Sequence, residues 1–108
     1  MNSPTKVLIT GVGYMGGYDL VNSLKKNGVE VVGVDINPNS AAKFYCDKYY
    51  LISEGNIENQ YYFPRLIEIL KKEKPDILLP ASVADLYQLA VYREHFEKYT
   101  KLMVGDAG

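Results

Sequence analysis

The chain has 108 residues, of which 47% are hydrophobic and 23% charged, and its formal net charge is −1. This balance is typical of a globular domain and excludes intrinsic disorder, a disulfide scaffold and a basic surface for nucleic acid. No apolar stretch approaches the roughly 20 residues that span a bilayer, and the N-terminus lacks the pattern of a signal peptide. We therefore expect a cytoplasmic protein that binds neither nucleic acid nor membrane.

Short apolar runs alternate with segments of helical spacing along the chain. The runs predict strands buried on both faces, because their apolar residues are continuous rather than alternating. The predicted strands are residues 7–9, 29–35, 48–52, 76–80 and 101–104. The segments between them predict four helices.

Local signals mark the ends of the first two helices. The first helix begins at Gly17 and reaches Gly28, which we expect to act as its C-terminal cap. The second is short, and Asn37 followed by Pro38 predicts its N-cap and first turn.

The later helices carry clearer apolar faces. Pro64 must lie in the first turn of the third helix, because a proline farther inside would cost about 3 kcal/mol. The segment Ser82–Asp85 has the form of a capping box, and we expect one helix from there through Phe96. Strands and helices alternate, so right-handed crossovers predict an α/β, doubly wound, Rossmann-like domain with five parallel strands in the order 3-2-1-4-5.

The loop after the first strand is rich in glycine. Gly11, Gly13 and Gly16 satisfy the pattern G-x-G-x-x-G between a predicted strand and a predicted helix. Glycines there allow a tight turn and a close approach to a ligand, and the amides that open the helix attract an anion. Asp35 ends the second strand, where a carboxylate accepts hydrogen bonds from a ribose, and Asn37 follows it.

This pattern has two interpretations. Taken alone, it fits a nicotinamide dinucleotide site. The fold also needs a tight turn at this place without any ligand, so both interpretations stay open.

A second candidate region follows the fourth strand. Ser82 and Asp85 lie at its carboxyl end, beside the point where the strand order reverses and ligands bind in such sheets. The alternative for Ser82 is an N-cap alone. His95 is expected on the surface, and Cys46 is expected to be structural. We find no residues typical of a catalytic centre or a metal site.

Several segments together resemble one known family. They are residues 6–11, 11–17, 32–38, 46–50, 67–76 and 78–82. In this order they resemble the N-terminal, pre-ATP-grasp domain of ATP-grasp enzymes of the carbamoyl-phosphate synthase large-chain type. The resemblance implies that residues 1–108 form a single pre-ATP-grasp domain at the N-terminus of a longer protein.

The resemblance also implies a function. The whole protein would be an ATP-dependent ligase that works through an acyl-phosphate, with ATP and Mg²⁺ bound by ATP-grasp lobes in cis or in a separate subunit. This domain alone would be inactive. Gly13, Tyr14 and Met15 would offer amides to a small carboxylate or amine substrate, and Ser82 or Asp85 would contact its polar groups. Without its lobes the domain would expose an apolar surface and form a homodimer.

Two alternatives remain from the sequence. The first is an NAD(P)-binding Rossmann domain of an oxidoreductase, which the glycine pattern and Asp35 favour. The second is a free-standing regulatory or partner-binding module that has the fold but neither ligand.

Overall fold

The computed structural model describes residues 5–13, 16–37, 39–52, 62–81 and 83–102, with no side chains given for residues 83–85. In these residues the strands are β1 (Lys6–Thr10), β2 (Glu30–Asp35), β3 (Lys48–Leu51), β4 (Ile77–Pro80) and β5 (Lys101–Leu102). The helices are α1 (Gly17–Lys26), α2 (Tyr62–Glu73), α3 (Val83–Val91) and α4 (Arg93–Phe96), and a 3-10 helix covers Ala41–Phe44.

The strands form one parallel sheet in the order β3-β2-β1-β4-β5, which confirms the predicted fold. Thr10 lies opposite Val34 on one side and Pro80 on the other. The carboxyl ends of the three central strands therefore lie at the same level, and the loops that follow them share one edge of the sheet.

Two hydrophobic clusters cover the two faces of the sheet. Leu8 points into a cluster with α2, α3 and α4, whereas Val7 and Ile9 point into a cluster with α1 and the 3-10 helix. This alternation follows from the period of two in a strand. Both faces are thus buried, as the continuous apolar strands predict.

The end of α1 confirms the predicted glycine cap. Gly28 has φ 78°, its amide donates to the carbonyl of Lys25, and the amide of Val29 donates to the carbonyl of Leu24. These two bonds form a Schellman motif, which satisfies carbonyls that the helix itself leaves unpaired.

Two helix predictions were wrong in detail. The short second helix begins after Ser40, whose Oγ accepts from the amide of Ala42 at 3.1 Å, and not after Asn37. Asn37 instead accepts from the amide of Asn39 at 2.9 Å, in an Asx turn that delays the helix. The predicted long fourth helix is two helices, because Tyr92 adopts φ −103° and ψ 27°, outside helical values.

Candidate functional site

Glycine geometry shapes the loop at the carboxyl end of β1. Gly11 has φ 63° and Gly16 has φ 92°, so both adopt the left-handed conformation that favours glycine. Gly16 is also the N-cap of α1 and has no side chain with which to cap it. Among the described residues, no side chain therefore caps the amides at the start of α1.

Two further glycines are required by close packing. A Cβ on Gly13 would overlap the carboxylate of Asp35 and the hydroxyl of Ser40, and a Cβ on Gly17 would overlap the carbonyl of Val12. The loop thus lies directly against the end of β2. Glycine at these positions is needed for contacts within the chain. These contacts would be needed whether or not the loop binds a ligand.

Asp35 binds the loop through backbone amides. Its Oδ2 accepts from the amide of Gly13 at 2.8 Å, and its Oδ1 accepts from the amides of Ile36 at 2.7 Å and Asn37 at 3.4 Å. The residue is 7% exposed. A carboxylate has about four acceptor positions, and amides of the described residues donate to about three of them.

Two tyrosines support the same loops, and the sequence analysis did not identify them. The hydroxyls of Tyr45 and Tyr49 donate to the carbonyls of Val12 and Asn37, each at 3.4 Å. Burial raises the pKa of both phenols, and the charge of Asp35 raises it further. Both side chains therefore remain protonated donors at neutral pH. No spacing in the sequence indicates these contacts.

The end of β4 adjoins the end of β1. The amide of Ala81 donates to the carbonyl of Thr10 at 2.9 Å, and α3 begins at Val83. The Thr10 hydroxyl is buried and has no hydrogen-bond partner in the described part of the chain. The loops after β1 and β4 therefore begin side by side at the carboxyl edge of the sheet.

The described residues include only part of the predicted site. Gly11, Gly13, Gly16, Asp35 and Asn37 lie together around the ends of β1 and β2. Four further predicted contacts lie outside the described residues or their described side chains: Tyr14, Met15, Ser82 and Asp85.

The remaining candidates have structural roles or exposed positions. His95 is exposed, and its ring lies 6.4 Å from that of Tyr92. Burial raises the pKa of the Cys46 thiol to about 11, and the charge of Asp47 adds to this effect, so the thiol is protonated and unreactive at neutral pH. In the described ranges, no three His, Cys, Asp or Glu side chains are grouped to hold a metal ion, and no helix is long and apolar enough to cross a membrane.

Comparison with known proteins identifies relatives of the whole domain. Residues 7–104 match the family described as PylC-like, N-terminal domain. The formate-dependent phosphoribosylglycinamide formyltransferase of Parabacteroides distasonis is 35% identical over 78 residues, which are 70% of this chain and 18% of that enzyme. The chain thus spans about a fifth of the length of the curated relatives it matches.

Solved structures show the same fold. Glycinamide-RNase-transformylase T from Mycobacterium tuberculosis aligns with a TM-score of 0.65 and 21% identity, covering 90% of this chain and 25% of that one. The 3-ketoacyl-(acyl-carrier-protein) reductase of Brucella melitensis, complexed with NADH, aligns with a TM-score of 0.53 and 28% identity, covering 68% of this chain and 32% of that one.

These comparisons decide between the interpretations of the glycine loop. The family match extends over almost the whole chain, whereas the likeness to the reductase covers only two thirds of it, so the NAD(P)-binding alternative is not favoured. The curated relatives that match the chain are formate-dependent phosphoribosylglycinamide formyltransferases, and they do not support the carbamoyl-phosphate synthase subtype. The chain belongs to the PylC-like N-terminal domains and is an N-terminal domain of the ATP-grasp type.

Proposed function

We propose that this chain is the substrate-side domain of an ATP-grasp ligase of the phosphoribosylglycinamide formyltransferase kind. The ligase joins a small carboxylate to an amine through an acyl-phosphate. ATP and Mg²⁺ are held by ATP-grasp lobes, in cis or in a separate subunit. The carbamoyl-phosphate synthase subtype is not part of this proposal, because the curated relatives that match the chain are formate-dependent phosphoribosylglycinamide formyltransferases.

One observation carries the proposal. A domain matched over residues 7–104 has a glycine loop that leaves the first amides of α1 uncapped at the carboxyl edge of the sheet. Backbone amides at a helix N-terminus, together with the helix dipole, favour an anionic group. Asp35 and Tyr45 hold the glycine loop in this conformation, and Tyr49 supports the neighbouring loop after β2. The domain is therefore suited to bind the anionic end of a substrate, with Tyr14, Met15, Ser82 and Asp85 as the further contacts we propose.

The chemical step is assigned to the other lobes on physical grounds. Phosphoryl transfer relies on metal ligands and cationic side chains around the phosphates. The described side chains beside the glycine loop include the carboxylate of Asp35, the hydroxyl of Ser40 and the phenol of Tyr45, none of which is cationic. We therefore expect no ATP hydrolysis by this chain alone, and measurable ATPase activity of the purified chain would overturn this division of roles.

An amide NMR titration of the chain tests the substrate-side role. The compounds are phosphoribosylglycinamide, formate and NADH, and the readout is the amide shifts of Gly11, Gly13 and Gly16. We expect saturable shifts with phosphoribosylglycinamide at millimolar concentration and none with NADH. Saturable binding of NADH at these amides would instead make the chain a dinucleotide-binding domain.

Two glycine variants form a matched pair for this titration. Gly16 and Gly28 both have positive φ, and a Cβ on either meets no atom within 4 Å. Replacing either by alanine therefore introduces similar backbone strain, but only Gly16 lies at the proposed site. Gly16→Ala should weaken phosphoribosylglycinamide binding about tenfold, whereas Gly28→Ala should leave it unchanged. If both variants weakened binding equally, the loss would be due to altered folding and not to a contact at Gly16.

The proposal also includes a cytoplasmic location and self-association of the isolated domain. Leu86, Tyr87 and Val91 of α3 are exposed apolar side chains, and an apolar face of this kind is typical of a surface that meets another protein unit. Light scattering at two concentrations should show a homodimer. A monomer at the higher concentration would contradict the dimer and leave the substrate proposal unchanged.

A further inference from the structure

A groove lies on the face of the sheet covered by α1. It has a volume of about 430 Å³ and runs between α1 and the residues of the 3-10 helix. On the α1 side its lining residues are Tyr18, Val21, Asn22, Lys25 and Lys26. They follow the spacing i, i+3, i+4, i+7, i+8 and therefore form one continuous stripe along the helix. Phe44 and Tyr45 form the opposite wall.

The aromatic part of the groove is built and held by contacts within the chain. The rings of Tyr18 and Tyr45 pack edge to face, with centroids 5.1 Å apart. The ammonium of Lys25 donates to the carbonyl of Tyr45 at 3.2 Å and lies 3.6 Å from Asp47. These contacts fix the shape of the groove before any ligand binds, which lowers the entropic cost of binding.

Phe44 is the most unusual residue of the groove. Its side chain is 81% exposed, although phenylalanine is among the residues most often buried. The ammonium of Lys43 lies 5.2 Å from the centre of its ring. Aromatic side chains, phenylalanine included, are enriched at protein interfaces, and the neighbouring ammonium is attracted to the face of the ring.

The charges around the groove have one predominant sign. Lys25, Lys26 and Lys43 border it, and the one acidic side chain in contact with these lysines in the described residues is Asp47, which Lys25 already pairs. The groove is therefore positive in a chain whose net charge is −1. An occupant with carboxylates complements it, whereas a second copy of the same surface would be repelled.

The exposure of the walls decides the size of the occupant. Small-molecule sites enclose most of the ligand surface, but Phe44 and Tyr18 are more than half exposed. Contact area must then come from an occupant that extends along the stripe. We propose that this groove binds an acidic peptide segment of a partner protein, with an aromatic or aliphatic side chain of that segment packed against Phe44. This inference does not depend on the proposed ligase role, because it uses a different surface.

Fluorescence anisotropy with labelled synthetic peptides tests the proposal on the chain. The first peptide has a central Leu-Phe pair flanked by Glu and Asp residues. In the second peptide lysines replace the acidic residues, and in the third serines replace the Leu-Phe pair. We expect saturable binding of the first peptide alone, weakening as salt is raised to about 0.3 M.

Three variants locate the binding. Phe44→Ala and Lys26→Glu should each weaken binding of the first peptide about tenfold. Tyr99→Ala is the matched control, because Tyr99 is also an exposed aromatic residue beside a lysine, Lys71, but lies outside the groove and should leave binding unchanged. Thermal melting followed by circular dichroism checks that each variant is folded. An effect of Tyr99→Ala equal to that of Phe44→Ala would overturn the assignment.

Two further outcomes overturn the proposal. The first is the absence of saturable binding of the acidic peptide at millimolar concentration. The second is a result in which ATP, a small anion with a planar ring, binds and the acidic peptide does not. The binding of ATP would then be lost in Phe44→Ala. In that case the groove is a small-molecule site. Neither outcome affects the amide shifts at Gly16 that test the ligase role.

Discussion

The two edges of the sheet each contain a buried carboxylate, but they use it differently. At the carboxyl edge Asp35 accepts from backbone amides of the loops after β1 and β2. At the amino edge Glu73, at the end of α2, accepts from side chains of β3: the hydroxyl of Tyr50 and the ammonium of Lys48. The first arrangement shapes a loop, and the second joins elements of the fold.

The amino edge is the stronger electrostatic cluster. The side chain of Glu73 is 2% exposed, and besides Lys48 at 3.2 Å it lies 3.5 Å from the ammonium of Lys6 in β1. Burial alone raises the pKa of Glu73, but the bonds from Tyr50 and Lys48 and the charges of both lysines outweigh it and hold the pKa below its usual value. Burial and the bond to Glu73 raise the pKa of Tyr50 to about 12.

The comparison indicates that the two edges contribute differently to the stability of the domain. Bonds at the amino edge connect β1, β3 and α2, so their loss should weaken the whole domain. Bonds at the carboxyl edge are local, so their loss should mainly alter the loop. The first and largest expected effect concerns close packing at the carboxyl edge, and the three that follow test the difference between the bonds of the two edges.

Replacing Gly17 by alanine should be the most damaging single change at the carboxyl edge. Its Cβ would overlap the carbonyl of Val12, and neither backbone segment moves easily. Overpacking of this kind should lower the free energy of unfolding by about 3 kcal/mol. Urea denaturation measures the loss, and Ser23→Ala on the exposed side of α1 is the control. A loss below about 1 kcal/mol would show that the loop can shift.

Replacing Glu73 by glutamine should lower the free energy of unfolding by about 2 kcal/mol. The change keeps the shape but removes the charge that two lysines and Tyr50 share, and hydrogen bonds to charged groups contribute about this amount. Urea denaturation measures it, with exposed Glu68→Gln on α2 as the control. Amide shifts at Gly13 should not change, and a change there would mean that the two edges are coupled.

Replacing Asp35 by asparagine should have a smaller effect on stability, about 1 kcal/mol, and a larger local effect. The amide of asparagine leaves one acceptor oxygen, so either Gly13 or Ile36 loses its partner. Hydrogen exchange at these two amides should accelerate in Asp35→Asn and remain slow in the control Asp19→Asn. Unchanged exchange at both amides would show that the carboxylate does not hold the loop.

Lowering the pH should reduce the stability that the Glu73 cluster contributes, and this effect should be the smallest of the four. Because the pKa of Glu73 in the folded chain is below its ordinary value of 4.5, its contribution is complete above about pH 4.5 and is lost as the pH falls through the folded pKa. When the pH is lowered from about 6 to about 3, a range that encloses this window, the Tm of the wild-type chain should fall further than the Tm of Glu73→Gln. Parallel loss in the two proteins would contradict the assignment.

Much of the fold is predictable from the sequence because its signals are local. Continuous apolar strands, the position of Pro64 and the glycine at the end of α1 act within a few residues. The structure confirms the strand order and the Gly28 cap. The delayed start of the 3-10 helix was not predicted. An asparagine can either cap a helix or form an Asx turn, and Asn37 forms the turn.

The network around Glu73 was not predictable in the same way. In the sequence Glu73 belongs to a run of lysines that looks like a solvated helix end. Its partners Lys6 and Lys48 lie far away in the chain, and only the strand order brings them together. The site shows the same limit, because the pattern identified Asp35 and the glycines but not the supporting Tyr45 and Tyr49.

The two hydrophobic clusters have a consequence for the order of folding during synthesis. The fully buried residues of the cluster beneath α1 all lie between Val7 and Ala42, whereas those of the opposite cluster extend from Leu8 to Leu102. One face of β1 and β2 can therefore be covered while the second half of the chain is still being translated. The other face is covered later, as α2, α3 and α4 emerge, so we expect the nascent chain to expose one apolar side of these strands before that point.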